Sequence, residues 1–201
     1  MGFQVQAQKT VKSGEVVFDL DLDGMDPQAA AFLSDAKANL VFNKNNVKVV
    51  TDMGMVKTTV FIDSKENSQI TTMDMMGQKF QIDLTDEEIS NNKVAESDYE
   101  IEVTKDQKDI AGYSCVKHII KSKDGNLNVW VTDKISVKGN LNHQYESLSG
   151  FPLEYSINQN GMSFNLTATK IISRDVQNSE FTIPDGYTKV KSEDLQKMFG
   201  G

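Results

Sequence analysis

The stretch Val47-Lys48-Val49-Val50-Thr51-Asp52-Met53-Gly54-Met55-Val56-Lys57-Thr58-Thr59-Val60-Phe61-Ile62 decides the fold class. Val47 and Val49 before the central turn, and Val56, Thr58, Val60 and Ile62 after it, recur at every second position. Successive strand side chains point to opposite faces, so this period gives each arm one apolar face. Met53-Gly54-Met55 supplies the short glycine turn that folds the two arms into an antiparallel hairpin. The pattern continues outward on both sides. Toward the N-terminus, Leu40 and Phe42 lead in through Asn45-Asn46, and Val16, Phe18, Leu20 and Leu22 share a face opposite Asp19, Asp21 and Asp23. Toward the C-terminus, Ser64 to Asn67 turns the chain into Ile70 and Thr72, and Met76-Gly77-Gln78 precedes Phe80, Ile82 and Leu84. A meander with one wet face follows.

Three segments break the alternation. Ala29 to Ala38, with Phe32 and Leu33 facing inward and Asp26 as N-cap, predicts a short amphipathic helix. Thr85 followed by Asp86, Glu87 and Glu88 reads as a capping box opening a second one. Ser192 to Phe199 predicts a third, capped by Ser192. Strands resume at Tyr99 to Val103, Tyr113 to Lys121 and Leu127 to Thr132; Gly139 to Gly150 is loop or short helix. Phe151 to Asn158 and Met162 to Ser173 form a hairpin across Gln159-Asn160-Gly161. No fixed repeat and no low-complexity linker divides the chain. The expectation is a mainly β (α+β) fold, a curved antiparallel sheet or half-barrel. It should have about ten strands, with two or three short helices across the concave face.

A net charge of −8 over 201 residues argues against nucleic acid as a partner, since phosphates call for a basic surface. No apolar run approaches the ~18–20 residues that cross a bilayer as a helix. Val5-Gln6-Ala7 fits the small-residue pattern of a signal-peptidase site. Met1-Gly2 then reads as an expression remnant and Phe3 to Ala7 as the tail of an export signal. Residues 1–8 are expected to be extended, and 9–201 to form one β-rich domain.

Candidate chemistry is sparse. Asp19-Leu20-Asp21-Leu22-Asp23-Gly24 matches the start of a calcium loop, but the twelfth position, where that loop needs glutamate, is Ala30. The alternating leucines assign these carboxylates to the wet face of a strand. Cys115, the one cysteine, sits between apolar strand residues as a buried thiol. His118 and His143 lie apart, without partners at metal-ligand spacing, so no metal site and no cofactor are expected. No motif for nucleophilic, metallohydrolase or dinucleotide chemistry is present, and the chain is not expected to be an enzyme. Methionine is the informative excess: Met53, Met55, Met73, Met75 and Met76 gather at adjacent strand ends. They could pack ordinary core, line a groove for a hydrophobic ligand, or hold Cu(I) through soft thioethers.

The second half of the sequence resembles a known family. Ile110-Ala111-Gly112-Tyr113-Ser114-Cys115-Val116-Lys117, then Val129-Trp130-Val131-Thr132, then Gly150-Phe151-Pro152-Leu153 follow the order of the envelope family known as domain of unknown function 4412. Phe181-x-Ile183-Pro184-x-Gly186-Tyr187 resembles the ending of that family. The related GLPGLI family has a similar series, but Phe151 interrupts its Gly-Leu-Pro. The resemblance implies an exported protein of a Gram-negative envelope, periplasmic or outer-membrane associated, with a lipoprotein-carrier-like half-barrel and no assigned activity. Together with the residues it gives the expected function: non-catalytic binding of a lipid or acyl chain in the concave face, lined by Met53, Met55, Met73, Met75 and Trp130. The alternative is an envelope protein–protein interaction or scaffold module.

Overall fold

The computed structural model describes residues 9–23, 36–91, 95–123, 125–137, 145, 147–159 and 162–199. Strands β1 (Gly14–Asp23), β2 (Lys37–Phe42), β3 (Asn46–Asp52), β4 (Val56–Asp63), β5 (Ser68–Met75) and β6 (Gln78–Leu84) run as a meander. After them come β7 (Tyr99–Ile110), β8 (Tyr113–Ser122), β9 (Gly125–Thr132), β10 (Phe151–Gln159), β11 (Met162–Ser173) and the short β12 (Thr188–Lys189). All belong to one open sheet in the order β12-β6-β5-β4-β3-β2-β1-β11-β10-β9-β8-β7. Every neighbouring pair is antiparallel except β12 with β6.

β1 is the seam. It pairs β2 on one side and β11 on the other, joining the early meander to the later strands. Two hairpins close through consecutive left-handed residues: Met76 (φ 53°) with Gly77 (φ 84°), and Ala111 (φ 50°) with Gly112 (φ 81°). This is the two-residue turn whose twist matches that of paired strands. It gives the Ile110-Ala111-Gly112-Tyr113 series a backbone reason.

Register assigns the faces. One row runs across the sheet through Val16, Leu40, Val49, Val60, Thr71 and Ile82, and the next through Phe18, Ala38, Thr51, Thr58, Met73 and Phe80. On the opposite face, Asp19, Lys37, Asp52, Lys57, Asp74 and Lys79 form a cross-strand ladder of alternating charge. Opposite charges on paired strands attract, which favours this register over its slips. Asp19 and Asp21 are exposed strand residues, as the alternating leucines require.

The densest core lies where β1, β2 and β8 to β11 curl together. Val16, Phe18, Phe42, Cys115, Ile120, Val129 and Leu153 are all buried there. Val11 bridges Ile135, while Tyr145 stacks edge-on against Tyr99, whose hydroxyl lies 2.7 Å from Ser147 Oγ. A bulge between Val103 and Gln107 bends β7. Cα atoms of β7 come within 8 Å of β11, four places away in the sheet, so this half rolls back on itself.

Beyond β11 the chain crosses the charged side of the sheet as a strap. Asn43 Nδ2 donates to Val176 O, Lys48 Nζ donates to Glu180 O at 2.6 Å, and Val190 N donates to Gln81 O at 2.9 Å. Arg174 holds the strap by a two-point bond to Glu180 and an ion pair with Glu15.

Several expectations change. The sheet has twelve strands rather than about ten; β12, two residues long, is too short to show a period. β7 runs to Ile110, not Val103, since its bulge inserts polar residues that hide the alternation. Residues 24–35 lie outside the described part, but Lys37 and Ala38, assigned to the end of a helix, open β2. Both described α-helices, α1 (Asp86–Asn91) and α2 (Ser192–Phe199), gather at the β6–β12 edge instead of crossing the concave face. The α1 capping box is present: Glu88 N donates to Thr85 Oγ1, and Thr85 N to Glu88 Oε2. Ser192 does not cap α2; its hydroxyl donates to Glu88 Oε1 at 2.6 Å and ties the helices together.

Candidate functional site

The face that carries the core changes character across β3 to β6. Val49, Val60, Met73 and Ile82 continue the rows of Val16 and Phe18, yet each is only half-buried. Met53 stands one alternation beyond Thr51 on this face, and Met75 pairs Val56 on it. The result is an apolar surface from Val49 to Ile82, ending in methionines at the hairpin tips. Met55 and Met76 stand on those tips, 68% and 83% exposed.

Register separates Trp130 from the methionines. It pairs Glu154, which pairs Thr167, which pairs Asp19, so it belongs to the charged face. There Lys108 Nζ lies 4.3 Å from the indole centroid and 2.7 Å from both Glu154 oxygens. The cation occupies the ring face and the carboxylate neutralises the cation, giving a structural anchor in place of a groove wall. The structure therefore brings Met53, Met73 and Met75 onto one face with Met55 at its rim, and puts Trp130 on the other.

Cys115 and His118, the described cysteine and histidine, are both buried. Burial pushes the Cys115 thiol up to about 11, leaving almost no thiolate near neutral pH. Burial lowers the pKa of His118, whose Nδ1 has no hydrogen-bond partner, so the ring sits neutral within the core. His143 lies outside the described residues. Among the described residues no group of three or more His, Cys, Asp or Glu could hold a metal ion.

A cleft of about 730 Å³ opens at the β6–β12 edge, lined by Asp83, Glu87, Glu88, Lys189, Ser192 and Asp194 among others. Two of its acids, Asp83 and Glu88, are held by hydrogen bonds. Gln81 and Lys189 hold Asp83 below its ordinary pKa, and Ser192 and Thr85 do the same for Glu88. The cleft's lining residues are mostly charged or polar, and it stands at the opposite end of β5 and β6 from the methionines. Sequence reading missed it because Asp83 and Lys189 meet only through the strap; Thr85 and Glu88 carried the one local signal, as a helix cap.

The fold recurs among solved structures. PNGF-II in a P21 crystal form is similar over 94% of this chain and 33% of that one, at 15% identity and a TM-score of 0.58. Its C2 form is similar over 92% and 32%, at 14% identity and a TM-score of 0.57. The chain thus spans about a third of the length of those proteins. MucB in complex with MucA(peri) is covered to 54%, over 86% of this chain, at 10% identity and a TM-score of 0.40. No curated protein matches the sequence. One family model, described as Domain of unknown function (DUF4412), matches residues 25–141.

Proposed function

The chain belongs to the DUF4412 family, and from that premise we propose that it is an exported, non-catalytic binder of a lipid or acyl chain. The carrying observation is the half-buried apolar surface of Val49, Val60, Met73 and Ile82, in the same rows whose members on β1 and β2, Val16, Leu40, Phe18 and Ala38, are buried. Apolar surface left uncovered within a packed face is where a ligand gains most by displacing water. The neutral His118 and protonated Cys115 accord with binding rather than turnover. Val5-Gln6-Ala7 supports export to the periplasm or outer membrane, and no helix among the described residues is long and apolar enough to cross a membrane.

Native mass spectrometry after gentle purification, followed by titration with a fluorescent fatty acid, tests this reading. One acyl chain per protein should bind, and Val60→Asp should abolish uptake by placing a carboxylate on the apolar face. Absence of uptake by the natural sequence would overturn it.

A second reading, an envelope interaction module, is favoured by β7. Among the described strands it stands at the sheet edge, twelve residues long with Val103 62% exposed, the arrangement that strand addition uses.

A further inference from the structure

The methionines at the hairpin tips do more than extend an apolar face. Two Met-x-Met pairs, Met53-Gly54-Met55 and Met73-Asp74-Met75, lie on neighbouring hairpins, and Met76 adjoins the second. Main-chain bonds fix their proximity. Met53 N donates to Val56 O at 3.0 Å, Val56 is the register partner of Met75, and Met76 N donates to Met55 O at 3.3 Å. Met53 and Met75 are therefore two strand spacings apart, roughly 10 Å between main chains. Methionine is unbranched with three rotatable bonds, so sulfurs from both sides can converge over Val56.

Two features are poorly explained by packing alone. Met55 and Met76 are exposed on adjacent tips, where a polar turn residue would serve the fold as well. The nearby carboxylates are already engaged: Asp52 accepts from Gly54 N at 3.0 Å and faces Lys57 at 3.9 Å, and Asp74 faces Lys79 at 4.0 Å, both on the opposite face of the sheet. Neutral sulfur is left as the concentrated donor, and thioethers select Cu(I) over zinc, calcium or magnesium.

We propose that this rim is a Cu(I) site whose donors are the thioether sulfurs of Met53, Met55, Met75 and Met76, with Met73 one row behind. The site goes beyond acyl binding and has a different chemical requirement. A groove needs apolar volume; copper needs sulfur. Leucine conserves the volume and removes the sulfur, so it separates the two.

The test is anaerobic transfer of Cu(I) from its coloured bicinchoninate complex to the full chain, with X-ray absorption on the product. One Cu(I) per chain with a sulfur-only shell is expected. Thioethers do not titrate, so affinity should be unchanged between about pH 7 and about pH 5, where histidine sites weaken. The Met53→Leu/Met55→Leu/Met75→Leu/Met76→Leu variant should bind at least about tenfold more weakly, the scale at which even outer-shell partners of a metal matter. Its thermal unfolding midpoint should stay close to that of the natural sequence, so that lost copper binding reports lost sulfur and not a lost fold. Met55→Leu/Met76→Leu, at exposed positions that do not support the fold, gives the same reading should the fourfold variant misfold. No transfer, a nitrogen- or oxygen-containing shell, or undiminished binding by the leucine variants would overturn the proposal.

Discussion

Two ends of one row show how unevenly this sheet is finished. Val16 and Leu40 are buried, while Val49, Val60 and Ile82, on the same face and in continuous register, are only half-covered. The strands differ little in pattern; what lies on them differs. Over the inner half the Val11–Ile135 bridge, Leu148 and the Tyr99–Tyr145 pair close the apolar face. Over the outer half the covering is on the back. The strap crosses a row that includes Val41, Lys48 and Phe61, and Val41, Phe61, Thr72 and Gln81 are buried on that side. Among the described residues, the outer half is thus covered on the back, while its front apolar residues stay only half-buried.

Breaking the inner half should have the largest effect. Gly150 has φ +94°, and a Cβ there would sit 2.6 Å from Val131 Cγ1 and 2.9 Å from Thr132 O. Gly150→Ala should cost roughly 2–4 kcal/mol, combining left-handed strain with overpacking against a backbone atom that cannot yield. The urea midpoint measures it; an unchanged midpoint would show that β10 can start elsewhere. The same row supplies a chemically matched pair. Val16→Ala removes about two methylenes from a closed core and should cost roughly 2 kcal/mol. Val60→Ala should cost less than about 1 kcal/mol in the apo protein, because its site is already partly wet. Saturating fatty acid should widen the effect of Val60→Ala and leave that of Val16→Ala unchanged, since a ligand stabilises through the contacts it makes.

Much of this contrast was legible in the residues, and the limits were physical. Alternation from Val16 to Leu84 made the meander legible in broad outline, because each strand pairs with its sequence neighbour. Register between distant strands was not legible. Trp130 was assigned to the methionine groove, but its face depends on its pairing with Glu154 after a bulge in β10, which no local pattern reports. The Ala29 to Ala38 helix signal failed at its end because Ala38, a good helix former, is small enough to fit between Phe18 and Thr51 in the sheet. The course of the strap was not legible either, since its partners lie over a hundred positions earlier: Glu180 with Lys48, Lys189 with Asp83.

The strap also supplies the smallest expected effect, and it bears on the back of the outer half alone. Arg174 donates two hydrogen bonds to Glu180, and Gln177 N adds a third, holding the carboxyl down to about 2 from its ordinary 4.5. A carboxylate that binds its proton less readily when folded stabilises the folded state above its unfolded pKa and loses that contribution as pH falls. The window therefore runs from 4.5 down to about 2. The Arg174–Glu180 pair is partly exposed, so salt should weaken the contact as well. The stability difference between the natural sequence and Glu180→Gln should be present at pH 6, shrink through that window and nearly vanish below it; other carboxylates titrate in both proteins and cancel. Amide exchange in β3 and β4 should follow the same course while the inner strands stay protected. Equal loss of protection in both halves would mean that the strap supports the whole sheet, and the division between a closed inner half and a back-braced outer half would fall.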